Sequence, residues 1–284
     1  MTIAAIIGAG DLGGAIAQAL AARQSVDRVI IVDTAESVAR GKALDIQQSG
    51  AIAGFDTKLQ GTSDLTRATA CTVCIVADRF GAPSPESSSA GAARQIAEIA
   101  SIVGDAPLLF AGAEHTTLMH DAVRDGGVAR RRLIGSAPEA YASAVRAIVA
   151  MEARCAPGEV MLSVLGAPPT FVIPWSEASI GGYALQQVLT PVELTRVDAR
   201  ARRLWPPQPY TLGIAAAVVT EGIVRTGRRA FDVLTVLEGE FGVRGRVGAI
   251  PAFLSPAGVM KRREPALTTR ERVQLETVLG AVPR

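Results

Sequence analysis

The sequence predicts an α/β fold: a doubly wound parallel sheet in the first half, then an α+β domain. Three observations carry this. Short apolar runs without polar alternation recur through the first 135 residues, as strands covered on both faces require. Helix-compatible stretches separate them, the βαβα order of a parallel sheet. The first run ends in Gly8-Ala9-Gly10-Asp11-Leu12-Gly13, a glycine-rich turn that closes a strand and opens a helix.

The elements follow in order. Thr2 to Ile7 is a buried strand, and Leu12 to Arg23 is Ala-rich and helical. Arg28 to Asp33 is a second buried strand, followed by a helix over Glu36 to Gln48. Phe55 to Leu59 alternates as a third strand, and Thr72 to Ala77 is a fourth. A helix over Ala92 to Val103, a strand over Pro107 to Ala111, a helix over Thr116 to Arg124 and a short strand over Arg132 to Gly135 complete the first domain, residues 1–135. Residues 136–284 form the second. There the rigid turn Pro206-Pro207-Gln208-Pro209 precedes an apolar helix, Leu212 to Val224. A helix apolar on most faces is buried, here expected between subunits.

Composition excludes several classes. Hydrophobic residues make up 49% of the 284, and Lys+Arg exceed Asp+Glu by only 29 to 27, so the chain buries a core and is not disordered. Three cysteines cannot staple a fold this large; a reducing compartment, the cytoplasm, is expected. Cys71 and Cys74 form a CxxC, but a spacing of three within a strand sets two side chains on opposite faces, so they read as buried small hydrophobes. Two histidines leave little room for a multi-His metal site, and no metal is expected. Residues 1–135 carry 12 basic and 14 acidic groups, residues 136–284 carry 17 and 13. That modest basic excess lacks the aromatic or motif support that nucleic-acid binding needs. No apolar run reaches the roughly 18 residues of a membrane span.

The glycine turn carries the clearest chemistry. Gly8 permits the tight turn, Gly10 lets the backbone approach a pyrophosphate, and Gly13 lets the helix pack on the sheet. The helix start at Asp11 and Leu12 offers free N–H groups and a partial positive charge. Asp33 ends the second strand 20 residues after Gly13, where a carboxylate binds a ribose diol and repels a 2′-phosphate. Ala77 closes the fourth strand beside the same site. NAD is the expected cofactor. The next residues, Asp78 and Arg79, are expected to form a surface ion pair.

The chain resembles the NAD-dependent malate/lactate dehydrogenase family. The resemblance lies in GAGDLGGAIAQAL and IIVDTAE, in Gly41-Lys42-Ala43-Leu44-Asp45, in Gly54-Phe55-Asp56 and Gly61-Thr62-Ser63-Asp64, in Arg132-Leu133-Ile134-Gly135, and in Ile250 to Val259. It implies a Rossmann-type cofactor domain, an α+β substrate domain and a homo-oligomer, dimer or tetramer. The family's chemistry uses a His as proton donor or acceptor, an Asp that orients it, Arg residues that hold the substrate carboxylate, and an Asn at the carbonyl. Matched onto this chain, the His position holds Pro168, the Asp position Tyr141, the nearby Arg position Ala144 and the Asn position Ala113. The loop expected to carry substrate Arg, Gly81 to Gly91, has none. Both histidines, His115 and His120, precede the second domain, so no shift of register supplies a catalytic His there.

The reading is therefore an NAD-binding relative without the family's hydride-transfer constellation, in a regulatory or partner role. The alternative is an active NAD-dependent oxidoreductase on another small substrate, with Tyr141 or His115 as acid/base. Glu114 is a further acid near that pocket.

Overall fold

The run Ile3–Ile7 (β1) is apolar throughout because both of its faces are covered. Ala4 and Ile6 point into one core layer, Ala5 and Ile7 into the other. A computed structural model of the chain describes residues 1–78, 89–124 and 127–280. After β1 come α1 (Asp11–Arg23), β2 (Arg28–Val32), α2 (Glu36–Ala53), β3 (Lys58–Thr62), β4 (Val73–Val76), α3 (Ser89–Ile102), β5 (Leu108–Phe110), α4 (Thr116–Arg124) and β6 (Leu133–Gly135). The second half holds α5 (Ala137–Ala153), β7 (Val160–Met161), β8 (Leu165–Ala167), β9 (Thr170–Val172), β10 (Ser179–Ile180), β11 (Tyr183–Ala184), α6 (Leu185–Val188) and α7 (Pro191–Ala201). It closes with α8 (Pro209–Arg225), β12 (Phe231–Glu238), β13 (Arg244–Ser255), β14 (Gly258–Arg262) and α9 (Thr269–Gly280).

The main sheet runs β3-β2-β1-β4-β5-β6-β12-β13-β8-β9, with β14 also on β13. The first six strands are parallel, and the chain order reverses between β1 and β4. Such a switch point opens a crevice at the carboxyl ends of the strands. The sheet continues into the second half without a break, since β6 meets β12 antiparallel at Gly135 and Leu234. Gly135 permits that approach; a Cβ on it would lie 2.8 Å from Leu234 Cβ.

Three expectations need correction. The third strand is Lys58–Thr62, later than Phe55 to Leu59. Helix α2 runs on past Gln48 to Ala53 and ends at Gly54, whose left-handed φ of 77° closes the helix with its N–H on the Gly50 carbonyl. Phe55 is spent on that closure: it is buried, its ring against Gly50, so a Cβ at Gly50 would come 3.0 Å from Phe55 Cε2. Second, Cys71 precedes β4 instead of lying within it, so strand alternation does not apply to the pair. Both thiols are buried in the same core layer. Burial pushes Cys71 up to about 12 and Cys74 well above its ordinary value. Third, α8 buries its apolar side inside this chain, against α1. Leu212, Ala216 and Ile223 join Ile16 and Leu20 in one core layer. Gly213 makes the crossing close, since a Cβ there would sit 2.8 Å from the Ala15 carbonyl carbon. Tyr210 and Ile214 on α8 stay exposed.

Candidate functional site

The glycine loop sits at the switch point, between the end of β1 and the start of α1. Gly8 has φ +101°, a region that L side chains rarely adopt, and its N–H donates to the Val32 carbonyl at 2.8 Å. Gly13 faces the Gly8 carbonyl so closely that any Cβ would collide with it. Leu12 is buried in the core, so only its backbone faces the loop; Asp11 is exposed.

Asp33, just past β2, reaches across to this loop. Its Oδ2 accepts the Ala9 N–H at 2.7 Å and its Oδ1 the Ala35 N–H at 2.8 Å. A carboxylate has about four lone-pair positions, so both oxygens keep capacity for a diol. Lys42, projecting from α2, donates from Nζ to the Gly10 carbonyl at 2.6 Å and lies 4.0 Å from the Asp11 carboxylate. Ala77 is buried, and its N–H on the Ile7 carbonyl at 3.0 Å holds the end of β4 alongside the end of β1.

That pairing sets Asp78 beside the loop. Its Oδ2 accepts the Gly13 N–H at 2.7 Å. A Cβ on Gly10 would lie 2.5 Å from Asp78 Cγ, so the carboxyl covers the bare face of that glycine. The Asp78 carboxylate is thus turned into the loop; the ion pair expected of it falls on Arg79, which lies outside the described residues. Sequence reasoning missed this arrangement and the Lys42 tie. Both contacts bridge distant segments, 65 and 32 residues apart. The available signal was a charged residue directly after the apolar strand that borders the loop.

The donor set suits an anionic dinucleotide: a glycine turn, the start of a 13-residue helix, and a carboxylate across from it. The Asp78 carboxyl lies against this loop.

The positions matched to the family's catalytic groups are built differently. Pro168 stands in the turn between β8 and β9. Tyr141, on α5, is buried; its hydroxyl donates to the Ala201 carbonyl at 3.2 Å. Its ring stacks on Phe171 at 5.0 Å and meets the Trp205 ring edge-on at 6.2 Å. Burial pushes its pKa up to about 12. Ala144 lies one helical turn further on, and Ala113 is buried beyond β5. His115 accepts the Gly112 N–H on Nδ1 at 3.1 Å and abuts Phe110 edge-on. Burial pulls its pKa down to about 4. Glu114 beside it is exposed. The expected substrate loop, Gly81 to Gly91, lies outside the described residues except at its end.

A cavity of ≈ 880 Å³ opens beside the Pro168-Pro169 turn, lined also by His120, Arg246 and Val247. His120 Nε2 accepts the Val247 N–H at 3.3 Å, and burial first, then Arg124 and Arg246, lower its pKa against the pull of Asp121. Among the described residues, no cluster of His, Cys, Asp and Glu could hold a metal ion, and no helix is long and apolar enough to cross a membrane.

No family model matches the chain. Single proteins do, over nearly its whole length. It is 28% identical to the malate dehydrogenase of Cytophaga hutchinsonii over 293 residues, covering 96% of this chain and 93% of that one. It is 26% identical to the malate dehydrogenase of Salinibacter ruber over 301 residues, covering 98% and 93%. Among solved structures, malate dehydrogenase from Salinibacter ruber superposes with a TM-score of 0.88 at 24% identity, covering 98% of this chain and 94% of that one. Lactate dehydrogenase from Cryptosporidium parvum, complexed with lactic acid and nicotinamide adenine dinucleotide, superposes with a TM-score of 0.87 at 22% identity, covering 98% and 95%.

Proposed function

We propose that the chain is a relative of the malate/lactate dehydrogenases that binds NAD or a related nucleotide without carrying out their hydride transfer to a 2-oxo acid. Gly8, Gly10 and Gly13, with the N–H groups of Asp11 and Leu12, would receive the diphosphate. Asp33 would take the ribose diol, and Ala77 would border the coenzyme from β4. NAD supplies a hydride acceptor when it is bound. Residues 1–135 serve in this reading as the cofactor domain and residues 136–284 as the remnant of a substrate domain. The role is regulatory, or that of a partner subunit in the cytoplasm, within a dimer or tetramer.

One observation supports the loss of chemistry above the others. The position matched to the proton-transferring His holds Pro168, and both histidines of the chain accept backbone N–H groups with pKa values lowered by burial. A general base works best with a pKa near the operating pH. Tyr141 fares no better as a substitute, since its hydroxyl is tied to Ala201 and burial holds it protonated. This favours the NAD-binding reading over an active oxidoreductase built on Tyr141 or His115.

Calorimetric titration with NAD, NADH and ADP-ribose tests the binding half. Saturable binding that Asp33→Arg removes is the expected result. No binding of any of the three would overturn it.

A further inference from the structure

We propose that Asp78 is an internal occupant of the phosphate cradle: its carboxylate stands where the dinucleotide's diphosphate would lie and must leave before a dinucleotide can bind. The inference rests on the dinucleotide reading of the glycine loop and adds what sets the affinity there.

Helix α1 supplies the attraction for an anion. The first N–H groups of a helix have no partner inside it. Their alignment gives that end a partial positive charge, which draws anions. Gly10 at the N-cap offers no side-chain acceptor. Asp78 fills that need: a carboxylate oxygen 2.7 Å from the Gly13 N–H is a charge-assisted hydrogen bond of the kind a phosphate oxygen makes at a helix start. The fit is also steric. The carboxyl carbon and both oxygens lie 2.5, 2.7 and 2.8 Å from where a Gly10 Cβ would stand. A glycine is needed there so that a diphosphate can approach the backbone. Here the side chain of residue 78 uses that space.

Charge adds to the exclusion. Asp11, Asp33 and Asp78 all border the loop, while among the described residues Lys42 is the cation that contacts it, and it is already engaged with the Gly10 carbonyl. A diphosphate entering beside Asp78 would bring like charges within a few ångströms. Asp78 is only half-buried, so rotation about its own side-chain bonds would free the cradle. The cost is the hydrogen bond to Gly13 and the separation of charge.

The test compares wild-type chain with Asp78→Gly and Asp78→Asn by calorimetry, using NAD, ADP-ribose and adenosine as titrants. Asp78→Gly is expected to bind NAD and ADP-ribose at least about tenfold more tightly than wild type. Asp78→Asn, which keeps an acceptor for Gly13 but loses the charge, falls between. Adenosine, with no phosphate, binds all three proteins alike. Thermal melts confirm that both variants fold. Equal or weaker dinucleotide binding in folded Asp78→Gly overturns the inference, because a carboxylate that only props the loop open would weaken binding when removed. Binding by wild type that Asp33→Arg removes but Asp78→Gly leaves unchanged overturns this inference alone. Absence of binding in all three proteins overturns it together with the reading it rests on.

Discussion

The Tyr141 ring stacks on Phe171 with centroids 5.0 Å apart and an interplanar angle of 27°, and Trp205 closes the cluster edge-on to both. Tyr141 thus fills the space between α5, β9 and the chain before α8 with apolar surface. Its single polar atom is satisfied by Ala201. A buried aromatic of this kind serves stability. Tyr141→Phe should cost about 1 kcal/mol, the net value of one hydrogen bond, and Tyr141→Ala about 3–5 kcal/mol. Urea unfolding curves check both. A Tyr141→Phe protein of unchanged stability that loses a measurable reaction would return Tyr141 to the list of acids.

A second prediction concerns a buried pair between α5 and β12. Glu139 accepts the Asp232 N–H at 3.1 Å and pairs with Arg146 at 3.2 Å and Arg229 at 2.7 Å; Arg146 also lies 3.7 Å from the Asp232 carboxylate. Burial, with Glu139 close by, pushes Asp232 up to about 8. A carboxyl with a raised folded pKa binds more protons folded than unfolded. Its contribution is therefore full below the ordinary carboxylate range and declines as pH rises toward about 8. The Asp232→Asn protein lacks this decline, so its stability relative to wild type should rise between pH 5 and pH 9. Urea midpoints across that range that run parallel for the two proteins would contradict it.

The histidines allow a third. With only two in the chain, each ring can be followed by proton NMR and assigned with one substitution. His115 should titrate near pH 4 and His120 below the usual imidazole value. The sign for stability is opposite to that of Asp232. A base with a lowered folded pKa binds fewer protons folded, so stability falls as pH drops from about 6.5 to about 4. His115→Gln should remove that share of the acid loss. A His115 resonance titrating between pH 6 and 7 would put an available base beside β5.

The sequence showed most where an element is decided by its own residues. Apolar runs such as Ile3–Ile7 and Val73–Val76 read as strands because both faces are covered, and Thr116–Arg124 was bounded at both ends by its local pattern. The glycine turn and Asp33 were legible by spacing alone. Contacts between distant segments were not. Asp78 reaches Gly13 across 65 residues, and Lys42 reaches Gly10 across 32. Phe55 looked like a strand residue because its role, sealing the end of α2, depends on Gly50 and Gly54. Helix α8 looked destined for another subunit because nothing local says that α1 covers it.

Whether this fold has lost hydride transfer to a 2-oxo acid is decided by following NADH oxidation by absorbance. The purified chain is supplied with oxaloacetate or pyruvate at saturating NADH. No rate above the uncatalysed background is expected, in wild type and in Asp78→Gly alike, because Pro168 has no ionisable group and burial holds the Tyr141 hydroxyl protonated. Steady turnover with either substrate, abolished by Asp33→Arg, would contradict it.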